Sequence, residues 1–243
     1  MRRRDWLHEE PFTLMLSAGF FGFFSHTGLL QALEESGVRP RHVIGVSAGA
    51  LAGGLWSSGM PAAAIVEELV ALRRDDFWDP GVPFGGLLRG RKFATHLRRV
   101  LSSTGIDRVE QCPIPFSAVV HDVLARRAMV LDRGPIDLAI RASCTVPLMF
   151  RPIWSAGRLL VDGGVSDRIG RAALDADAGR VLLHFLPSRS RGSQRHPPRA
   201  PGRDGVTLVT PDLPRVTPFR LQEGRTAYER TLAHARRWLA DPY

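Results

Sequence analysis

The chain is expected to fold as an α/β sandwich around a mostly parallel sheet, and three observations predict it. Short apolar runs alternate with helical segments along most of the 243 residues, as strands joined by crossover helices do. One run, Val43-Ile44, passes through Gly45-Val46-Ser47-Ala48-Gly49 into a helix of small residues, the strand–turn–helix geometry of a nucleophile elbow. Another, Arg158-Leu159-Leu160-Val161, ends at Asp162-Gly163-Gly164, which sets a carboxylate at the C-terminal end of a strand.

In order along the chain, Thr13-Leu14-Met15-Leu16 reads as a buried strand bounded by Pro11 and Ser17-Ala18-Gly19. A helix follows over 26–36, with an apolar face of Leu29, Leu30, Ala32 and Leu33, and Gly37 ends it. Residues 43–46 form the second strand, and 48–58 and 61–73 are helices, the latter opened by Pro61. Proline and glycine punctuate 77–88 too often for an ordinary element. Residues 93–101 are helical, 115–120 and 128–131 are strands of a hairpin or sheet edge, and 135–143 is a short helix. Strands are expected at 158–161, 181–186 and 206–209, with an amphipathic helix over 219–239 closing the chain. Because a strand and a helix follow it, the arginine- and proline-rich stretch 188–203 is a loop within one domain spanning 1–243.

Composition narrows the function. With 44% hydrophobic and 23% charged residues the chain is globular in character. The net charge of +9 favours acidic partners, although Lys92 is the only lysine and the arginine bias partly reflects codon composition. No zinc-like cysteine/histidine spacing and no interleaving of aromatic and basic residues points to nucleic acid. The two cysteines, Cys112 and Cys144, make no disulfide framework, so a reducing, cytoplasmic setting is expected. The basic start Met1-Arg2-Arg3-Arg4 is followed by Asp5, Glu9, Glu10 and Pro11, which break any signal-like apolar stretch. No window has the roughly 18 uncharged apolar residues of a membrane span.

An activated serine needs a base, an oxyanion hole and room for an acyl group. Ser47 sits at a helix N-terminus, where free N–H groups and the dipole favour developing negative charge. Gly45 and Gly49 let the backbone turn sharply and let strand and helix cross closely; a plain Gly/Ser turn is the alternative. Of the eight histidines none stands in a triad-like context: His184 is within a strand, His196 in the basic loop and His234 on the last helix. Asp162, followed by Gly163 and Gly164, is the best acid, against the alternative of an ordinary Asp-Gly turn.

Three ordered blocks resemble the patatin-like phospholipases, acyl hydrolases with a Ser–Asp dyad. They are Leu16 to Leu33, similar to that family's glycine-rich oxyanion loop and following helix; Val43 to Gly49, the elbow; and Arg141-Ala142-Ser143-Cys144-Thr145-Val146-Pro147 through Asp162-Gly163-Gly164-Val165. The resemblance covers about residues 13–187. It implies a three-layer α/β/α sandwich, Ser47 as nucleophile, Asp162 as its base, and no metal or organic cofactor. It also implies Gly19 and Phe20, with Phe21, as oxyanion donors, and a lipid or phospholipid substrate. The loop departs from the family's pattern, with Ala18, Phe20, Gly22 and Phe23 where glycines and a basic residue are usual, and positive φ at Phe20 would strain it.

Three further expectations concern lipid. Phe20, Phe21, Phe23 and Phe24 divide between an acyl groove and the core, two of them in the core. Phe77, Trp78, Phe84, Leu87 and Leu88 form either a lid or membrane-dipping edge, or a small cluster under a loop. The arginines of 188–203 (Arg189, Arg191, Arg195, Arg199 and Arg203) either contact anionic membrane peripherally or are simply solvated. The rival readings are an α/β-hydrolase esterase with a Ser-His-Asp triad, and a catalytically weak relative that binds lipid or protein.

Overall fold

The computed structural model describes residues 1–82, 85–187 and 197–243. In chain order the elements are α1 (Arg3–Glu9), β1 (Phe12–Leu16), α2 (Phe23–Glu35), β2 (His42–Val46), α3 (Ala48–Ser57), α4 (Ala62–Ala71), α5 (Arg74–Phe77), β3 (Gly86–Leu88) and α6 (Arg91–Ser102). They continue with β4 (Phe116–Asp122), β5 (Arg127–Leu131), α7 (Ile136–Ser143), β6 (Leu148–Phe150), β7 (Ile153–Ser155), β8 (Arg158–Asp162), β9 (Arg180–His184), β10 (Asp204–Leu208) and α8 (Glu223–Ala240).

The main sheet runs β10-β9-β1-β2-β4-β8-β7, with β5 also on β4. The five strands from β10 to β4 are parallel; β5, β7 and β8 pair antiparallel. β1, β2, β4 and β9 are buried almost throughout, and their side chains alternate between two cores. Leu14, Leu16, Val43, Phe116 and Leu182 face the larger core under the helices. Met15, Ile44, Val46, Val119 and Leu183 face a smaller one, which Ile169, Ala178 and Ala200 close. That two-sided burial is why these strands read as continuous apolar runs rather than alternating ones.

One detail of the pairing brings the two motifs together. β4 binds β2 as far as Val46↔Val119, and it binds β8 from Val120↔Asp162 onward. Its other edge is occupied by β5 along Ala118–Asp122. Thus β2 and β8 share one edge of β4 end to end. The elbow leaving β2 and the aspartate ending β8 meet beside Val119 and Val120.

The hairpin, the parallel core strands and the long helices fall where the sequence places them, with ends shifted by a few residues; α2 starts at Phe23 rather than His26, and α8 at Glu223 rather than Phe219. The sequence reading misses α1, whose Trp6 and Leu7 are buried, and Trp6 stacks on Tyr243 with ring centroids 4.6 Å apart. It also misses the short helix α5 and the three-residue strands β6 and β7, and takes β3 as part of an irregular stretch.

Close backbone approach explains Gly49: a Cβ there would lie 2.1 Å from the Leu16 carbonyl oxygen, where β1 passes under α3. Gly49→Ala is therefore expected to cost about 1–3 kcal/mol, as overpacking does. It should appear as a lower urea midpoint at unchanged slope.

Candidate active site

Ser47 takes φ 54 and ψ −117 between β2 and α3. The sharp turn is thus made by the serine itself, a strained conformation for a residue with a Cβ, and Gly45 and Gly49 serve close packing instead. The Ser47 amide donates to Ser143 Oγ at 2.9 Å, and that hydroxyl donates to the Val119 carbonyl at 2.6 Å. The Ser47 carbonyl accepts from Cys144 Sγ at 3.1 Å. The end of α7 therefore holds the elbow on both of its backbone polar groups. Burial pushes the Cys144 thiol well above its ordinary pKa, so it is a packed thiol rather than a reactive one.

Asp162 is buried, and its Oδ1 accepts the Gly164 amide at 2.7 Å. The Ser47 side chain lies close enough to this carboxylate to favour its ionised form. Burial raises its pKa to about 6, opposed by the Ser47 hydroxyl, the Gly164 amide and the positive charge of Arg168. Gly163 is needed for packing, since a Cβ would lie 2.2 Å from the Val119 carbonyl oxygen.

The loop after β1 closes the site. The Gly22 amide donates to the Gly19 carbonyl at 2.8 Å, forming a tight turn over Gly19–Gly22. Among the described residues no hydrogen bond engages the amides of Gly19, Phe20 or Phe21, and all three residues line the same cavity as Ser47. The strain expected at Phe20 falls one residue later: Phe21 has φ 53, while Phe20 is not among the positive-φ residues. The Phe21 ring touches those of Phe20, Phe23 and Phe77, with centroids 4.9, 5.5 and 6.0 Å away, which holds the unfavourable backbone in place.

Beneath this loop lies a buried histidine pair. His26 Nε2 donates to the Ser17 carbonyl at 2.9 Å, so in the neutral ring Nδ1 accepts from His184 Nδ1, also at 2.9 Å. Burial lowers the His26 pKa to about 4 and holds that of His184 well below its ordinary value, so both rings are neutral. Their work is to brace the loop's base. Arg168 adds a second brace, its carbonyl accepting from the Ala18 amide at 2.8 Å and its Nη2 donating to the Ala18 carbonyl at 3.3 Å. Among the described residues no histidine hydrogen-bonds Ser47 or Asp162; His196 lies outside them, and His234 is on α8. A Ser-His-Asp triad through His184 or His234 is not built.

Ser47 opens into an apolar cavity of about 870 Å³, counting its mouth. Its walls are Leu51 and Leu55 of α3, Leu69 and Leu72 around α4, and Leu97 and Val100 of α6. The phenylalanines divide: Phe23 and Phe24 are buried, Phe21 and Phe23 line the cavity, and Phe20 is 59% exposed at its edge. Phe77 is buried and lines the cavity, Leu88 is buried, and Leu87 is exposed. That stretch is thus part cavity wall and part surface; Phe84 lies outside the described residues. In the basic loop, Arg189, Arg191 and Arg195 also lie outside them. Arg199 is exposed, and Arg203 pairs with Glu10 at 3.2 Å. Arg203 immediately precedes β10, at the end of the parallel sheet opposite Ser47.

No described helix is long and apolar enough to cross a membrane. Among the described residues no group of three or more His, Cys, Asp or Glu could hold a metal ion.

A family model described as patatin-like phospholipase matches residues 14–175. An uncharacterized NTE family protein of Mycobacterium bovis is 35% identical over 163 residues, 66% of this chain and 44% of that protein. Lysophospholipase NTE1 of Cryptococcus neoformans is 31% identical over 160 residues, 63% of this chain and 10% of that protein. The chain therefore spans less than half the length of these relatives. Among solved structures, VipD from Legionella pneumophila matches 95% of this chain and 67% of its own, with a TM-score of 0.64 at 15% identity. The type III effector protein ExoU matches 95% of this chain and 54% of its own, with a TM-score of 0.50 at 15% identity. At that identity the structural likeness concerns the fold, an α/β domain with a mostly parallel central sheet.

Proposed function

Since the chain belongs to the patatin-like phospholipase family, we propose that it is a serine acyl hydrolase that cleaves carboxylic esters of phospholipids or lysophospholipids. The observation that carries this is the junction of β2 and β8, which sets a strained serine beside a buried carboxylate at the mouth of an apolar cavity.

The chemistry follows from that junction. Ser47 Oγ attacks the ester carbonyl carbon while its proton passes to the Asp162 carboxylate. The carbonyl oxygen becomes an oxyanion, for which the amides of Gly19, Phe20 and Phe21 and the start of α3 are the donors. Collapse breaks the bond to the leaving alcohol, which takes the proton from Asp162 and departs, and the acyl group stays on Ser47. Water then attacks the acyl-enzyme, giving its proton to Asp162; the fatty acid leaves and Ser47 recovers the proton. The acyl chain occupies the cavity between α3, α4 and α6, and no metal or organic cofactor takes part in these steps. Exposed Phe20, Leu87 and Leu148 are the apolar side chains for contact with a lipid surface. A lysophospholipid fits the name of one relative and needs room for a single acyl chain.

Asp162 must be ionised to accept the proton. With its pKa raised to about 6, kcat/KM should be level above about pH 7 and fall about tenfold per unit as pH drops below 6. A pH profile on a soluble, non-ionising ester checks this. The reading as a whole is tested by incubating the purified chain with a lysophospholipid and measuring fatty-acid release. Release is expected, and none from folded protein at pH 8 would contradict it.

A further inference from the structure

The order of strands reverses once in the parallel part of the sheet. β1 has β2 on one side and β9, followed by β10, on the other. Connections leaving such a reversal pass to opposite faces of the sheet, and a crevice opens beyond the carboxyl ends of the strands. A cavity of about 1700 Å³, counting its mouth, lies there. It is bounded by 19–22 after β1, Leu186 and Pro187 after β9, and 209–216 after β10.

This cavity shares Gly19, Phe20, Phe21 and Val146 with the apolar one that contains Ser47. The two cavities therefore meet at the loop with the unengaged amides, but they differ in chemistry. The Ser47 side is walled mainly by leucine, valine and phenylalanine, with Glu68 and His96 also on its lining. The second cavity brings in two guanidinium side chains, Arg168 and Arg215. Arg168 is fixed across its floor, donating to the carbonyls of Ala18 and Leu186 at 3.3 and 3.2 Å. Arg215 is exposed, and Asp212 is an acid on the same wall. Thr210 also lines the cavity; it is only 4% exposed, and its hydroxyl has no hydrogen-bond partner among the described residues. A buried hydroxyl left unpaired is costly, and a ligand oxygen reaching it would supply the missing partner.

An ester has two halves on either side of its carbonyl carbon. With the acyl chain in the apolar cavity, the alcohol half must leave the carbonyl in another direction, and the second cavity begins at the same loop. We propose that the cavity at the β1/β9 reversal receives the phosphate-bearing alcohol half of a lysophospholipid, with Arg215 and the Thr210 hydroxyl as its polar contacts. This rests on the Ser47–Asp162 hydrolase reading.

The test compares two soluble substrates with the same short acyl chain, a lysophosphatidylcholine and a monoacylglycerol, both below their aggregation thresholds so that no lipid surface contributes. The readout is the ratio of kcat/KM for the phosphate-bearing ester to that for the phosphate-free one. Arg215→Gln should lower this ratio about tenfold, as loss of a charged hydrogen bond does. Arg215→Lys should keep most of it, and the isosteric Thr210→Val should lower it about threefold. A ratio unchanged in both Arg215→Gln and Thr210→Val, in folded protein that hydrolyses both esters, overturns the assignment and leaves the hydrolase reading standing. If the wild-type chain hydrolyses neither ester, both fall together.

Discussion

Ser47→Ala is expected to abolish ester hydrolysis, lowering kcat by a factor on the order of 10⁴ or more, while the protein stays folded. The size of the effect follows from the serine's position. Its oxygen is the atom that forms the covalent bond, and no neighbouring group can replace it. The Cys144 thiol is nearby but is engaged with the Ser47 carbonyl and held protonated by burial. The fold should tolerate the change because the elbow is held through backbone atoms, the Ser47 amide on Ser143 and its carbonyl on Cys144. A thermal midpoint within a few degrees of wild type, together with background hydrolysis, is the expected pair of results. Substantial residual turnover would point to another nucleophile.

Asp162→Asn should be nearly as damaging, with kcat reduced about a thousandfold or more, because an amide cannot accept the serine proton. Stability should move the other way. A carboxyl whose folded pKa is raised to about 6 from the ordinary 3.8 destabilises the fold once it ionises. That cost is absent below about pH 4 and fully present above about pH 6. Asparagine removes it, so at pH 8 the variant should be at least as stable as wild type. Chemical denaturation at pH 8 and pH 5 checks this: the variant's advantage should shrink at the lower pH. His234→Ala should retain the wild-type rate, since the ring is on α8 and touches neither Ser47 nor Asp162.

The parts of the site that were legible in the sequence are those encoded by local chemistry. Gly-x-Ser-x-Gly after an apolar run gives the elbow between β2 and α3, and Asp-Gly-Gly after another gives the acid at the end of β8. Their meeting was not legible from spacing alone. It depends on β2 and β8 sharing one edge of β4, a pairing between segments more than a hundred residues apart. The same holds for the bracing groups. Ser143 belongs to a recognisable motif, but nothing local shows that its hydroxyl would bridge the Ser47 amide and the Val119 carbonyl. His26 lies on α2, just after the loop, but its partner His184 arrives from β9, and Arg168 comes from beyond the aspartate. Where backbone geometry decided the outcome, residue type misled. The glycines of the elbow are needed for contact, the strained φ belongs to Ser47, and the strain in the loop falls on Phe21 rather than Phe20.

The central claim is that Ser47 is an activated nucleophile with Asp162 as its base. The most direct measurement is reaction of the wild-type chain with a fluorophosphonate ester, followed by proteolysis and mass spectrometry of the adduct. The account predicts a single adduct on Ser47, forming faster as pH rises through about 6 and absent in Asp162→Asn. An adduct on a different serine, or no adduct on folded protein at pH 8, would contradict it.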